Sequence, residues 1–356
     1  MLFLAGVVAA QPLRTGAGGA SETAARLHAQ ALVIDAHLDV LYHLSRTGSR
    51  ADLSQRRASG HFDFVRAREG GLDASFFAIF VSNRFNATPD GAFREAQRLL
   101  EMLQRLLAAN ACSAGLAGTP EEVRRLVQAG KHAVILSLEN GTPIGRDLSR
   151  LQHFYQQGIR YLTLCHNQDN QICDSSYDNR RTHRGLSAFG KQVVAEMNRL
   201  GMMIDVSHVS DEAFWQVLQL SQSPVIASHS GLRKFRSFQR NLSDEMLLAL
   251  KKNGGVVCLN FGAMFLSEDY RRRRQTLQDV VKHIDHAVRL IGADHVGLGS
   301  DFDGVDEMPA GLEDVSCYPR LTAALLQHGY TAEEIEKITG GNLLRVWQAN
   351  LDRRQP

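Results

Sequence analysis

Cysteine is scarce in this 356-residue chain: there are five, Cys112, Cys165, Cys173, Cys258 and Cys317, an odd number with no C-x-x-C pair among them. That pattern excludes a zinc ribbon and a dense disulfide framework. Cys165 and Cys173 could pair in an exported protein, but nothing in the sequence requires it. An excess of charge is also missing. Forty basic residues against 38 acidic ones leave a formal charge of +2, which recommends neither nucleic acid nor an acidic membrane as a partner. The one basic run, Arg271 to Arg274, reads as a solvated helix start. No later apolar run approaches the roughly 20 residues of a membrane span, and the last five residues, Asp352-Arg353-Arg354-Gln355-Pro356, lack the hydrophobic tail of a GPI signal. The opening Met1-Leu2-Phe3-Leu4-Ala5-Gly6-Val7-Val8-Ala9-Ala10 is like the apolar part of a signal peptide but has no basic region before it, so cytoplasmic and exported locations both stay open. No internal repeat is evident.

What remains is a large core. Hydrophobic residues make up 44% of the chain, and an α/β barrel commonly exceeds about 250 residues undivided. The expected organisation is a leader over residues 1–20, one domain over 21–351 and a tail over 352–356. Within that domain, apolar runs of strand length alternate with segments of helical spacing. The runs cover residues 33–39, 71–81, 132–139, 158–166, 202–208, 224–230, 254–261 and 295–301. Helices are predicted over 22–30, 89–111, from Thr119-Pro120-Glu121-Glu122, and over 151–157, 187–200, 243–252, 275–291 and 318–348. Eight strands alternating with helices predict a closed parallel (β/α)₈ barrel, a TIM-like fold whose active sites gather at the C-terminal ends of the strands.

Polar residues fall on those ends. The first run closes on Ala36-His37-Leu38-Asp39, and a strand period of two puts His37 and Asp39 on one face. The third run ends on Glu139, the fourth on His166, the fifth on His208, the sixth at His229 and the eighth at Asp301. Each alone would be an ordinary loop or core residue. Four histidines and three carboxylates at one rim are harder to place without a metal, because unpaired charge near a barrel core is costly. Two ions fit better than one: His37, Asp39 and one oxygen of Glu139 could hold the first, and the other oxygen of Glu139 with His208 and His229 the second. A water shared by two cations ionises near neutral pH, and either ion can polarise a carbonyl, which is the equipment of amide hydrolysis. Asp301 would take the proton and hand it to the leaving amine.

Residues 33–39, Ser137-Leu138-Glu139-Asn140-Gly141, Leu162-Thr163-Leu164-Cys165-His166, residues 204–210, Ser228-His229-Ser230, Arg240-Asn241 and residues 299–304 (GSDFDG) together resemble the membrane (renal-type) dipeptidases, the M19 metallopeptidases. The resemblance runs from about Ala31 to Leu351. It implies two zinc ions bridged by Glu139 and a water or hydroxide, with His37, Asp39, His208 and His229 as the other ligands. It further implies that His166 contacts substrate and steadies the oxyanion, that Arg240 binds the free carboxylate of a dipeptide, and that Asp301 is the acid/base. Small dipeptides, including those with a D-configured second residue, and a homodimer follow from the same likeness. From its own sequence context Arg240 would read as a surface residue. Asn140 stands where many family members have glycine. Two rivals remain: a two-metal amidohydrolase acting on N-acyl amino acids or lactams, and a metal-binding barrel without activity, which would require a broken constellation.

Overall fold

The structure is a computed structural model describing residues 17–47 and 52–355, with side chains described from residue 21. The apolar stretch over residues 1–10 lies outside the described residues. Nine strands form one parallel sheet: β1 (Ile34–Leu38), β2 (Ala74–Phe80), β3 (Ala114–Leu116), β4 (His132–Glu139), β5 (Ile159–Thr163), β6 (Met203–Asp205), β7 (Ile226–Ser230), β8 (Val256–Leu259) and β9 (Val296–Leu298). Eight follow one another around the ring in the order β1-β2-β4-β5-β6-β7-β8-β9, and β3 pairs with the first residues of β4, below the point where β5 joins it. The ring closes beyond the ends of β9 and β1, where Asp301 N donates to His37 O (3.2 Å) and Asp39 N donates to Phe302 O (2.9 Å). This is the expected TIM-like barrel, nearly closed, with helices between the strands.

All eight predicted strands are present, β4 with the expected bounds and the other seven shortened at their ends. The three-residue β3, Ala114-Gly115-Leu116, lies in a stretch of small residues without an apolar run to mark it. The helices Val40–Thr47, Phe64–Glu69 and Asp211–Leu220 were also not anticipated. The last carries a readable start, because Ser210 Oγ accepts from Ala213 N and Asp211 and Glu212 occupy the first turn. The predicted cap at Thr119 is present, with its side chain accepting from Glu122 N. The basic run is corrected: Arg271 to Arg274 form the turn before the helix Leu277–Ile291, and Arg273 reaches forward to Asp279. The predicted final helix is in pieces, Tyr318–Gln327, Ala332–Glu336 and, after a π-helical turn, Asn342–Asp352. No described helix is long and apolar enough to cross a membrane.

The core has two shells. The inner one fills the barrel with Ile34 and Ala36, Ala74 and Phe76, Ala133 and Ile135, Tyr161, Met203, Ile226, Val256 and Cys258, and Trp347 from the helix Asn342–Asp352 packs on it, its ring 5.9 Å from Phe76. The alternate residues, among them Phe77, Ile79, Val134, Leu136, Leu138, Ile204, Val257 and Leu259, pack outward against the helices. The period of two carries the inner face upward from Ala133 and Ile135 to Glu139, from Tyr161 to Thr163, from Met203 to Asp205 and from Ile226 to Ser228. It does not deliver every site residue.

Candidate active site

Glu139 arrives at the barrel mouth by plain alternation along β4, whereas His37 and His229 do not. From Ile34 and Ala36 the next inward residue of β1 would be Leu38, yet Leu38 belongs to the outer shell and the β1–β2 register slips between Asp35 and Leu38. The same slip occurs in β7 between Ala227 and Ser230. Each irregularity re-aims one imidazole at the mouth, a known use of bulged strands. His208 and Asp301 need left-handed backbone, with φ of 70° and 64°, and so do Asn140 (75°) and Asp303 (70°). Residues other than glycine rarely adopt this conformation, asparagine, aspartate and histidine less rarely than the rest, and its concentration here marks a site held by its surroundings. Asn140 is suited to it: its amide donates to Val81 O (2.8 Å), and its Oδ1 accepts from Asn170 Nδ2 (3.0 Å), joining β4 to the loop after β5.

The expected residues converge. Glu139 Oε2 lies 3.4 Å from His37 Nε2, which is 3.3 Å from Asp39 Oδ2. Glu139 Oε1 faces the other way, 3.4 Å from His208 Nε2, 3.5 Å from His229 Nε2 and 3.7 Å from His166 Nε2. Donor atoms of Asp301, His37 and His229 also lie within 4.8 Å of one another. Any larger residue at Gly304 would displace these carboxylates, since a β-carbon there would stand 2.2 Å from Asp39 Oδ2 and 2.3 Å from Asp301 Oδ1.

This donor set fits a metal. Tyr161 donates its hydroxyl proton to Ala36 O (2.9 Å), so at 2.7 Å from His37 Nδ1 it can only accept there, and His37 turns Nε2 toward Glu139. Ser228 donates to Asp205 Oδ2 (2.6 Å) and likewise accepts from His229 Nδ1 (2.7 Å). Asp205 is itself fixed by Thr163 Oγ1 (2.6 Å) and Ser228 N (2.8 Å). Both imidazoles thereby present Nε2 to the centre, as ligation demands. His37 Nε2 is buried without a hydrogen bond, and His208 Nε2 and His229 Nε2 face each other at 3.0 Å. Burial and then the Glu139 charge push Asp39 up to about 8. Burial alone would raise Glu139 as well, but His37 and His166 hold it well below the usual carboxylate range. Two buried carboxylates and converging nitrogen lone pairs call for positive charge between them.

Tyr161, Ser228 and Asp205 were not recognised in the sequence; their signal is a polar residue at an inward position one layer below the mouth. Tyr161→Phe keeps the ring and removes the acceptor for His37. It is expected to weaken metal binding about 10- to 100-fold, the scale of an outer-sphere partner, with the melting temperature nearly unchanged. Competition with a chromophoric chelator measures this, and an affinity within twofold of wild type would refute the role.

Arg240 is buried at 3% exposure rather than on the surface that its sequence context suggested. Its Nη1 donates to Ser230 Oγ (3.0 Å) and its Nη2 to His229 O (2.8 Å), while Nε is buried without a partner. No carboxylate among the described residues pairs with it. Asn260, also missed, donates to Asp301 Oδ2 at 2.8 Å and so orients that carboxylate. His166 lies against Phe80 and His208, with ring centroids 4.5 and 4.2 Å away. Burial lowers its pKa to about 4, which keeps the imidazole neutral at pH 7.

The family model described as membrane dipeptidase (peptidase family M19) matches residues 21–355. The chain belongs to that family. This dipeptidase is 37% identical over 294 residues to dipeptidase tcpJ of Claviceps purpurea, covering 81% of this chain and 69% of that one. The probable dipeptidase PvdM of Pseudomonas aeruginosa superposes with a TM-score of 0.86 at 28% identity, over 95% of this chain and all of that one. A metallopeptidase of Rhodobacter sphaeroides, liganded with a phosphinate mimic of L-Ala-D-Ala, superposes with a TM-score of 0.82 at 30% identity, over 90% and 99% of the two chains. The chain is therefore a hydrolase of the metallo-dipeptidase class.

Proposed function

We propose that this dipeptidase hydrolyses the single amide of free dipeptides, including those whose second residue has the D configuration, and that Glu139 with His37, Asp39, His208 and His229 would hold two zinc ions for that reaction. One observation carries the reading: Glu139 turns Oε2 to His37 and Oε1 to His208 and His229, so a single carboxylate addresses two separate donor groups. Imidazole nitrogen and carboxylate oxygen are zinc's usual donors. Bound there, such ions supply Lewis acidity and ionise a water near neutral pH.

The remaining work falls to side chains. Arg240, buried and without a carboxylate of its own, takes the free α-carboxylate of the dipeptide and fixes its C-terminal end. His166, at the edge of the same group, donates to the oxygen that becomes negative as the carbonyl carbon turns tetrahedral. Asp301, steadied by Asn260, accepts the proton of the attacking water and passes it to the amine as the C–N bond breaks. Tolerance of a D residue is supported by the Rhodobacter relative and its L-Ala-D-Ala mimic.

Hydrolysis of L-Ala-L-Ala and L-Ala-D-Ala beside their C-terminal amides tests this assignment on protein of known zinc content. Amidation is expected to lower kcat/KM about 10- to 100-fold, the worth of a charge-assisted pair in a buried site. Equal rates on acids and amides would remove Arg240 from the role and favour a general amidohydrolase.

A further inference from the structure

Four residues before Arg240, on the same loop, Arg236 is held by aromatic rings alone. Its guanidinium carbon lies 4.4 Å from the Phe238 centroid and 4.2 Å from the Tyr270 centroid, a cation between two π-faces. None of its guanidinium nitrogens has a hydrogen bond or an ion pair among the described residues, and Nη1 is buried without an acceptor. Nearby arginines differ. Arg233 is paired with Asp211 at 2.5 Å, Arg273 with Asp279 at 2.7 Å, and Arg181 donates to Ser175 O at 2.9 Å.

The Phe238 ring also meets Tyr177, centroid to centroid 5.5 Å, and Tyr177 lies 6.0 Å from the His208 ring. Tyr177 thus links Arg236 to the metal-capable cluster, and its phenol feels Arg240, Asp301 and Arg236 together, although burial is the larger influence on it. A guanidinium already immobilised by two rings loses little side-chain freedom when it binds an anion, and the rings do not neutralise its charge.

We propose that Arg236 is a second anion-recognition group at the mouth of the site, selecting dipeptides whose C-terminal residue carries a side-chain carboxylate, aspartate or glutamate. This rests on the reading of Arg240 as the α-carboxylate site. With the α-carboxylate on Arg240, the side chain of that same residue lies beside the loop that bears both arginines. Phe238 and Tyr177 form the wall it passes. A neutral isostere leaves Arg236 unanswered.

The test compares kcat/KM for L-Ala-L-Glu and L-Ala-L-Gln, and for L-Ala-D-Asp and L-Ala-D-Asn, on zinc-loaded wild type, Arg236→Gln and Arg236→Lys. Wild type is expected to prefer each acid over its amide isostere about tenfold or more, chiefly through KM, with the preference shrinking as salt rises. In Arg236→Gln the ratio is expected to fall toward one, and in Arg236→Lys to lie between. Equal rates on acid and isostere in wild type, or a ratio preserved in Arg236→Gln, would overturn the proposal. Failure of wild type to cleave any dipeptide in the set would instead overturn the dipeptidase reading beneath it.

Discussion

Replacing Asp301 with asparagine is expected to lower kcat by roughly 10²- to 10⁴-fold, the range of general acid–base catalysis, while bound zinc stays at the wild-type level. The substitution is close to isosteric, and the Asn260 amide that donates to Asp301 Oδ2 at 2.8 Å can donate equally to an asparagine oxygen. What disappears is the proton acceptor. The left-handed turn at φ 64° is also among the conformations asparagine tolerates better than most residues, so the backbone has no reason to shift. Because an oxygen of Asp301 lies within 4.8 Å of donor atoms of His37 and His229, a direct role in ligation is the competing explanation. Elemental analysis decides between them. A variant that loses zinc together with activity would make Asp301 a ligand, and a variant with more than about a tenth of wild-type turnover would remove it from proton transfer.

Glu139→Gln is expected to abolish turnover and to reduce zinc from two equivalents per chain to one or fewer, with affinity falling by more than the roughly 10- to 100-fold of an outer-sphere loss. The carboxylate stands between two donor groups, 3.4 Å from His37 on one side and 3.4 Å from His208 on the other. A neutral amide removes the charge both sides share and turns one of its two acceptor atoms into a donor. Chelation of wild type is expected to give the same loss, reversed by adding zinc; the variant's loss is not reversed at equal concentration. Titration by calorimetry checks this. Full activity with a single equivalent in wild type would defeat the two-ion reading and leave the family membership untouched.

Much of the site was legible because its polar residues sit where an α/β barrel concentrates chemistry. His37, Asp39, Glu139, His166, His208, His229 and Asp301 close six of the eight apolar runs, and a closed ring brings such ends together whatever their separation in the chain. The partners beneath them were not legible. Tyr161 and Asp205 lie inside β5 and β6, where a tyrosine or an aspartate could equally face a helix, and only the inward face of a closed barrel sets them under His37 and His229. Arg240 was misplaced by its context for a similar reason. It lies among polar loop residues, but the loop folds back and seals it against Ser230 and the carbonyl of His229.

The alternation of strand and helix, and with it the barrel, follows from local pattern: apolar runs too short for helices, caps such as Thr119 and Ser187, and amphipathic segments between them. The identities of the donor groups also stand in the sequence, since the chemistry of imidazole and carboxylate does not depend on the fold. Tertiary structure alone decided their aim. Strict alternation in β1 would have turned Leu38 inward in place of His37, and the slips in β1 and β7 that prevent it are backbone adjustments between neighbouring strands, which no period in a single segment encodes. The tautomers of His37 and His229 were decided in the same way, by the hydroxyl of Tyr161 on β5 and that of the neighbouring Ser228, whose protons are already committed to Ala36 O and to Asp205 on β6.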